Sequence, residues 1–262
     1  MAIALITGAS SGIGKVFAQK LAAQGHSLVL VARELVRLEA LSLELQERYG
    51  IQVELLQADL CEREQLEKVA ERLRDSARPV EILVNNAGLI LAEPFIRSTL
   101  LEEERLLDVL VRAVLVLTHA AVPGMVARGS GTVIVVSSVA GFSFLGTYSA
   151  AKAWATTFVT SVAGQLHGTG VNISALCPGY VRTEIFQRAG VNAASLPRWA
   201  WIGVDRLVED CLNKVRRGRV VIVPSFRYKL LTFLSRHLPL RLVGWLARQQ
   251  HLQIERQGRP PK

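Results

Sequence analysis

With 262 residues, 50% of them hydrophobic, the chain can bury the core of one large α/β domain or two small ones. Three cysteines far apart (Cys61, Cys177, Cys211) and five scattered histidines argue against a disulfide framework or a zinc site and fit a reducing compartment. The net charge of +9 is concentrated: Asn213 to Lys262 holds 12 Lys/Arg and one acid, Glu255, leaving −2 for the rest, so the whole protein is not expected to bind nucleic acid.

The chain enters an apolar run at once, with no charged start or small-residue cleavage site ahead of it. No signal peptide is expected, and the expected location is cytoplasmic. No apolar stretch is read as approaching the roughly 18–20 residues that span a bilayer. Strands are predicted at Ala2–Thr7, Ser27–Ala32, Gln52–Gln57, Ile82–Asn85, Gly131–Ser137, Asn172–Cys177 and Val220–Val223. Several are β-branched and apolar on both faces, as strands covered by helices on both sides should be. Helical patterns lie between them at Ile13–Gln24, Glu34–Tyr49, Glu62–Arg74, Glu102–Arg128 and Ser149–His167. The first two stop at Gly25 and Gly50, residues suited to a helix end. This alternation predicts a single α/β domain: a doubly wound parallel sheet of about seven strands flanked by helices. Residues 1–224 would form it, and residues 225–262 a basic C-terminal helical extension.

Thr7-Gly8-Ala9-Ser10-Ser11-Gly12-Ile13-Gly14 joins the first strand to the first helix. Gly8 permits a tight turn, and Gly12 and Gly14 let backbone and helix approach closely. The free N–H groups over Ser10, Ser11 and Ile13 then face an anion such as a pyrophosphate. A glycine triplet alone is also an ordinary turn. The second strand ends in Ala32 and Arg33, where an acid would accept from a ribose 2′-hydroxyl. A guanidinium there pairs with a 2′-phosphate, pointing to NADP(H), or is a solvated arginine at a helix start.

Tyr148-Ser-Ala-Ala-Lys152 sets a phenol and an ammonium at i and i+4 on one helix face. Free tyrosine titrates near pH 10, and a close cation lowers such a group by roughly 1–3 units. Lys152 is therefore expected to make Tyr148 a usable acid toward a carbonyl oxygen. The same pattern also occurs on surface helices.

Taken in order across about residues 1–185, these motifs resemble the short-chain dehydrogenase/reductase family: TGxxxGxG at Thr7–Gly14, Asp59-Leu60, Asn85-Asn86-Ala87-Gly88, Ser137-Ser138, Tyr148-xxx-Lys152 and Pro178-Gly179-Tyr180-Val181-Arg182-Thr183. The resemblance implies a Rossmann-like fold and metal-free hydride chemistry on a carbonyl or alcohol. It places Asp59 and Leu60 at the adenine, although Asp59 equally suits capping of the following helix. It lays Asn86, Ala87 and Gly88 along the adenosine ribose. Pro178, Gly179, Val181 and Thr183 line the nicotinamide, and Lys152 also binds the nicotinamide ribose. Ser138 orients the substrate oxygen and Tyr148 supplies the proton. A homodimer or homotetramer through the two long helices is implied as well.

Two departures stand out. Ser138 precedes Tyr148 by ten positions, about three fewer than the family pattern, so the loop from Val139 to Thr147 is shortened. Ser143 is a distant alternative to Ser138. Leu110 occupies the position where the family places an asparagine in a proton relay from the lysine. Leucine neither donates nor accepts, which leaves open another water path, slow turnover, or a catalytically weak cofactor-binding protein that senses NADP(H) or docks a partner.

Pro197-Arg-Trp-Ala-Trp201-Ile202 lies where this fold builds a substrate lid. Its tryptophans favour an apolar substrate or plain core packing. Beyond Pro224, apolar residues interleave with Arg227, Lys229, Arg236, Arg241 and Arg248, as in two short amphipathic helices broken at Pro239. Such helices suit peripheral contact with an anionic membrane, at its inner face, or packing on the domain or a second subunit. The tail and fold together resemble bacterial members that reduce 3-oxo groups on long acyl chains or similar lipids.

Overall fold

The computed structural model describes residues 2–144, 146–185 and 201–237. Seven strands form one sheet: β1 (Ile3–Thr7), β2 (Ser27–Ala32), β3 (Val53–Gln57), β4 (Val80–Asn85), β5 (Gly131–Val136), β6 (Val171–Leu176) and β9 (Val221–Ile222). Their order is β3-β2-β1-β4-β5-β6-β9, and every neighbouring pair is parallel. The expected strands all form. β4 starts earlier than expected because Val80 pairs with Ile3 ahead of a register shift. A two-stranded ribbon, β7 (Tyr180–Val181) with β8 (Trp201–Ile202), stands apart from the sheet.

Helices cover both faces: α1 (Gly12–Ala22), α2 (Leu35–Tyr49), α3 (Arg63–Arg74), α4 (Leu100–Leu107), α5 (Ala113–Ala127), α6 (Gly146–Gln165), α7 (Val204–Arg216) and α8 (Phe226–His237). The strands alternate between two cores. Leu5, Val29, Val31, Leu83 and Val133 face one core with Leu66, Leu117 and Val159, while Ala4, Ile6, Leu28, Leu30 and Ile134 face the other with Phe17, Leu38, Leu45 and Leu207. Truncating Phe17, which is fully buried, removes about 3–5 kcal/mol of stability. Gly50 ends α2 at φ 64°, the left-handed conformation expected of it.

The long helix expected over Glu102–Arg128 is broken into α4, a π-helical turn at Asp108–Arg112, and α5. A capping box opens it: Glu102 N–H donates to Thr99 Oγ1 at 3.3 Å, and Thr99 N–H donates to Glu102 Oε2 at 2.8 Å. Taken whole, Leu100–Ala127 has 28 residues and an 18-residue window of mean hydropathy 1.9, long and apolar enough to cross a membrane. That corrects the expectation that no stretch approaches this length. Half of the window is buried, and the helix packs on α3, β4 and β5, so it is a core helix and not a span.

α7 has no counterpart among the expected helices, although Leu207, Val208, Cys211, Leu212 and Val215 make a regular buried stripe. α8 matches the first of the two expected basic C-terminal helices. The second, beyond Pro239, lies outside the described residues, as do Pro197 to Ala200 of the expected lid.

Candidate active site

The site lies at the carboxyl ends of β1, β4, β5 and β6, beside the point where the strand order reverses between β1 and β4. The turn after β1 is held by backbone and by two polar side chains. Thr7 Oγ1 accepts from the N–H groups of Asn86 and Ala87, both at 3.0 Å, and donates to the Val84 carbonyl at 3.3 Å. Asn86 Nδ2 donates to the Thr7 carbonyl at 2.9 Å and the Gly8 carbonyl at 3.1 Å. Asn86 therefore clamps the turn with its amide, leaving Ala87 and Gly88 to present backbone.

Gly8 and Gly12 have φ of 64° and 55°, and a Cβ on Gly14 would fall on the Gly8 carbonyl oxygen. Ser11 is the N-cap residue of α1 but makes no side-chain cap bond, and the first turn carries no acid. The helix start is thus open to an anion. Ser10 and Ile13 are half-buried along the same turn. A Cβ on Gly12 would sit 3.1 Å from Thr183 Cγ2, so Thr183 lies against the glycine turn. This narrow cradle fits a dinucleotide pyrophosphate.

Past the end of β2, Arg33 is exposed just after Ala32. Arg37, not among the expected site residues, pairs with Glu34 at 2.9 Å and Glu184 at 2.7 Å, tying α2 to the segment after β7. Its spacing of three residues from Glu34, at the start of α2, is the available signal. Asp59 Oδ1 accepts from Cys61 N–H at 3.0 Å, and Asp59 Oδ2 lies 3.5 Å from Arg105. Leu60 is buried. The N-cap residue of α3 is Glu62, so Asp59 does not cap that helix; its carbonyl instead accepts from Glu62 N–H.

The catalytic candidates meet on α6 and the 3-10 turn Val139–Phe142. Despite the short loop, Ser138 stands close enough to Tyr148 to act on its acidity, and its Oγ accepts from Ala140 N–H at 3.1 Å. Ser143 instead contacts the Ala140 carbonyl at 2.8 Å and Ser149 at 3.4 Å. The turn packs tightly on α6: a Cβ on Gly141 would approach Ala153 N to 2.8 Å.

Lys152 is 6% exposed, and its Nζ donates to the Val136 carbonyl at 2.8 Å. An ammonium has three donors, so this bond uses one of them. Burial pulls Lys152 down to about 8. Burial likewise pushes Tyr148 up to about 12, against the lowering effect of Ser138. The expected lowering by Lys152 is not found. Its Nζ sits 5.8 Å from the centre of the Tyr148 ring, where it faces the ring, and its hydrogen bond goes to Val136.

Leu110 is 1% exposed within the π turn and packs with Leu106, Val109 and Ala151. A Cβ on Gly88 would lie 3.4 Å from Leu110 Cδ2 and 3.9 Å from Lys152 Nζ, so the leucine stands next to the lysine. Pro178 and Val181 are buried below the site, and Gly179 lies between them. Trp201 packs on Tyr180 with ring centres 6.1 Å apart and under Arg182 at 5.6 Å, while Ile202 joins the core. Among the described residues, no group of three His, Cys, Asp or Glu is placed to hold a metal. A cavity of about 330 Å³ beside His167, Asn172 and Gly218 opens at the amino end of β6, away from this chemistry.

The short chain dehydrogenase family model matches residues 2–193. The NADP-dependent 3-hydroxy acid dehydrogenase YdfG of Salmonella typhimurium is 34% identical over 183 residues, 68% of this chain and 72% of that protein. The 3-oxoacyl-[acyl-carrier-protein] reductase FabG of Aquifex aeolicus is 30% identical over 186 residues, 70% of this chain and 75% of that protein. Among solved structures, a short-chain dehydrogenase from Sphingobium yanoikuyae in complex with NADPH superposes with a TM-score of 0.83 at 35% identity, covering 100% of this chain and 99% of that one. With the glycine cradle, the buried lysine and the Ser138–Tyr148 pair in place, this chain belongs to the short-chain dehydrogenase/reductase family, an NAD(P)-dependent oxidoreductase acting on carbonyls and alcohols.

Proposed function

We propose that the protein is an NADP(H)-dependent carbonyl reductase whose substrate is apolar, in the class of 3-oxoacyl chains or comparable lipids. The observation that carries the cofactor choice is Arg33 after Ala32, a free-standing cation where an acid would select the 2′-hydroxyl. The NADPH bound in the Sphingobium yanoikuyae structure and the NADP dependence of YdfG support it. The name of FabG supports the acyl class.

The dinucleotide, when bound, supplies the hydride to the carbonyl carbon. Gly8, Ser10, Ser11, Gly12, Ile13 and Gly14 receive its pyrophosphate, with Asp59 and Leu60 at the adenine and Asn86, Ala87 and Gly88 beside the ribose. Pro178, Gly179, Val181 and Thr183 form the wall for its nicotinamide. Ser138 orients the substrate oxygen, Tyr148 Oη gives that oxygen its proton, and Lys152 holds the ribose and offsets charge left on the tyrosine. Reduction consumes the proton, so turnover in that direction falls with rising pH.

A second reading, a weakly catalytic NADP(H)-binding protein, is favoured by one observation: apolar Leu110 beside Lys152. Titration with NADPH and NADH, followed by incubation with ketones and a 3-oxoacyl thioester, separates the readings. Tighter NADPH binding that Arg33→Ser weakens by about tenfold, with NADPH oxidation, supports the reductase. Equal affinities defeat the cofactor assignment, and binding without turnover selects the second reading.

The extension 225–262 is proposed as a peripheral contact for an anionic lipid surface at the cytoplasmic face of a membrane. On α8, Phe226 is 80% exposed and Leu230, Leu231, Phe233 and Leu234 are also exposed, with Arg227 and Lys229 between them. Co-sedimentation with phosphatidylserine vesicles that vanishes on replacing Phe226 and Leu230 by Ser supports this contact; equal soluble fractions reject it. A homodimer or homotetramer through α5 and α6 completes the proposed assembly.

A further inference from the structure

α8 lies outside the residues that the family model matches, yet it reaches the catalytic face. Its outward side is the exposed apolar row. Its inward side carries Tyr228, 8% exposed, and Thr232, 7% exposed. The Tyr228 ring lies directly on Gly179, so closely that a Cβ there would fall inside the ring. Its hydroxyl accepts from Tyr180 N–H at 3.2 Å. The same helix packs on the 3-10 turn Val139–Phe142, the segment shortened between Ser138 and Tyr148. That turn is bonded to the floor of the site, with Val139 N–H donating to the Pro178 carbonyl at 3.0 Å.

These contacts close a circuit. Ser138 caps the 3-10 turn, the turn rests on Pro178, and Pro178 runs into the Gly179–Tyr180 backbone, which Tyr228 covers and hydrogen-bonds. α8 packs against the turn at the shortened loop. Gly179 follows as a packing requirement: only a residue without a side chain admits the aromatic ring.

We infer that Tyr228 is a positioning residue, which fixes the Pro178–Gly179–Tyr180 backbone and thereby the nicotinamide and the Ser138–Tyr148 pair. This rests on the proposed placement of that segment along the nicotinamide. Tyr228 touches no reacting atom; it acts through the backbone it holds. Tyr228→Phe keeps the ring on Gly179 and deletes the acceptor, while Tyr228→Ala removes both.

The test uses the full chain with NADPH as probe. In Tyr228→Ala, NADPH affinity set by the adenosine half stays within about threefold of the parent, while the nicotinamide fluorescence change on binding is lost. Turnover falls at least tenfold, and the deuterium isotope effect from 4-deuterated NADPH rises. Tyr228→Phe shows the same changes at smaller size. Gly179→Ala also loses turnover, because its methyl meets the ring, and Gly179→Ala combined with Tyr228→Ala recovers part of it. Parent-like fluorescence and isotope effect in both Tyr228 variants would overturn the inference. So would a uniform loss of affinity and turnover tracking a lower melting temperature in Tyr228→Phe. Tyr148→Phe run alongside separates the failures: if it still turns over, the catalytic reading fails, whereas if it is inactive and the Tyr228 variants are normal, only this inference fails.

Discussion

The cofactor cradle and the catalytic face are held together by different means. From Thr7 to Gly14 the cradle is backbone against backbone, with left-handed glycines and two strand-end side chains, Thr7 and Asn86, joining adjacent β1 and β4. The catalytic face gathers a 3-10 turn, α6, the Pro178–Tyr180 segment and α8 from separate parts of the chain. The cradle has no room for an added methyl at Gly14, whereas the face combines a shortened loop, an apolar Leu110 and a helix from beyond the family match. Rigidity near the pyrophosphate and latitude near the substrate are what a scaffold with one cofactor and many substrates requires.

The contrast can be broken from either side. The largest effect is expected from Tyr148→Phe, which removes the proton donor. Turnover should drop by about 10²–10⁴-fold with NADPH binding intact, as read by steady-state rates and a binding titration. Undiminished turnover would remove Tyr148 from the mechanism. Next is Gly14→Ala, whose methyl would displace the Gly8 carbonyl. NADPH affinity should fall about a hundredfold in a fluorescence titration, and a normal dissociation constant would mean that the cradle yields.

Lys152→Met is expected to abolish activity and yet stabilise the cofactor-free protein. The folded lysine titrates at about 8 against an ordinary 10.5, so the unfolded chain binds the proton more readily. Stability is full above pH 10.5, declines as pH falls toward 8, and below that carries a cost of about 3 kcal/mol. The variant should melt several degrees higher at pH 7 and lose the rise between pH 8 and 10. Tyr148, raised to about 12 from 10, bends the profile downward only above pH 10. A parent-like melting curve would mean that Lys152 is already well solvated. The smallest change is expected from Leu110→Asn: turnover severalfold higher and a slightly lower melting temperature, since a polar group enters an apolar cluster. A lower turnover would show that no proton path was missing.

Much of this was legible in the sequence because its causes are local. Each of the seven sheet strands was marked by an apolar run, and Gly50 by its place at a helix end. The glycine turn was legible for the same reason. The π turn at Asp108–Arg112 was not, because the apolar pattern of Leu106, Leu110 and Leu117 is compatible with an unbroken helix. Nor was the role of Asn86, whose amide turns back to the β1 carbonyls. In the sequence Tyr228 is one aromatic among the apolar residues beyond Pro224; its position over Gly179 and its bond to Tyr180, both from far along the chain, distinguish it from Phe226. The acidity of Tyr148 was misjudged because helical spacing gives proximity to Lys152 but not the direction in which the ammonium donates.

The buried ammonium of Lys152 also bears on how long a molecule survives. Held by the Val136 carbonyl inside the fold, that ammonium is a charge that water would solvate better. A ligand that binds only the folded form adds about 2.7 kcal/mol at a hundredfold excess over its dissociation constant. NADPH added to the purified protein is therefore expected to slow its digestion by a protease, as read by a proteolysis time course.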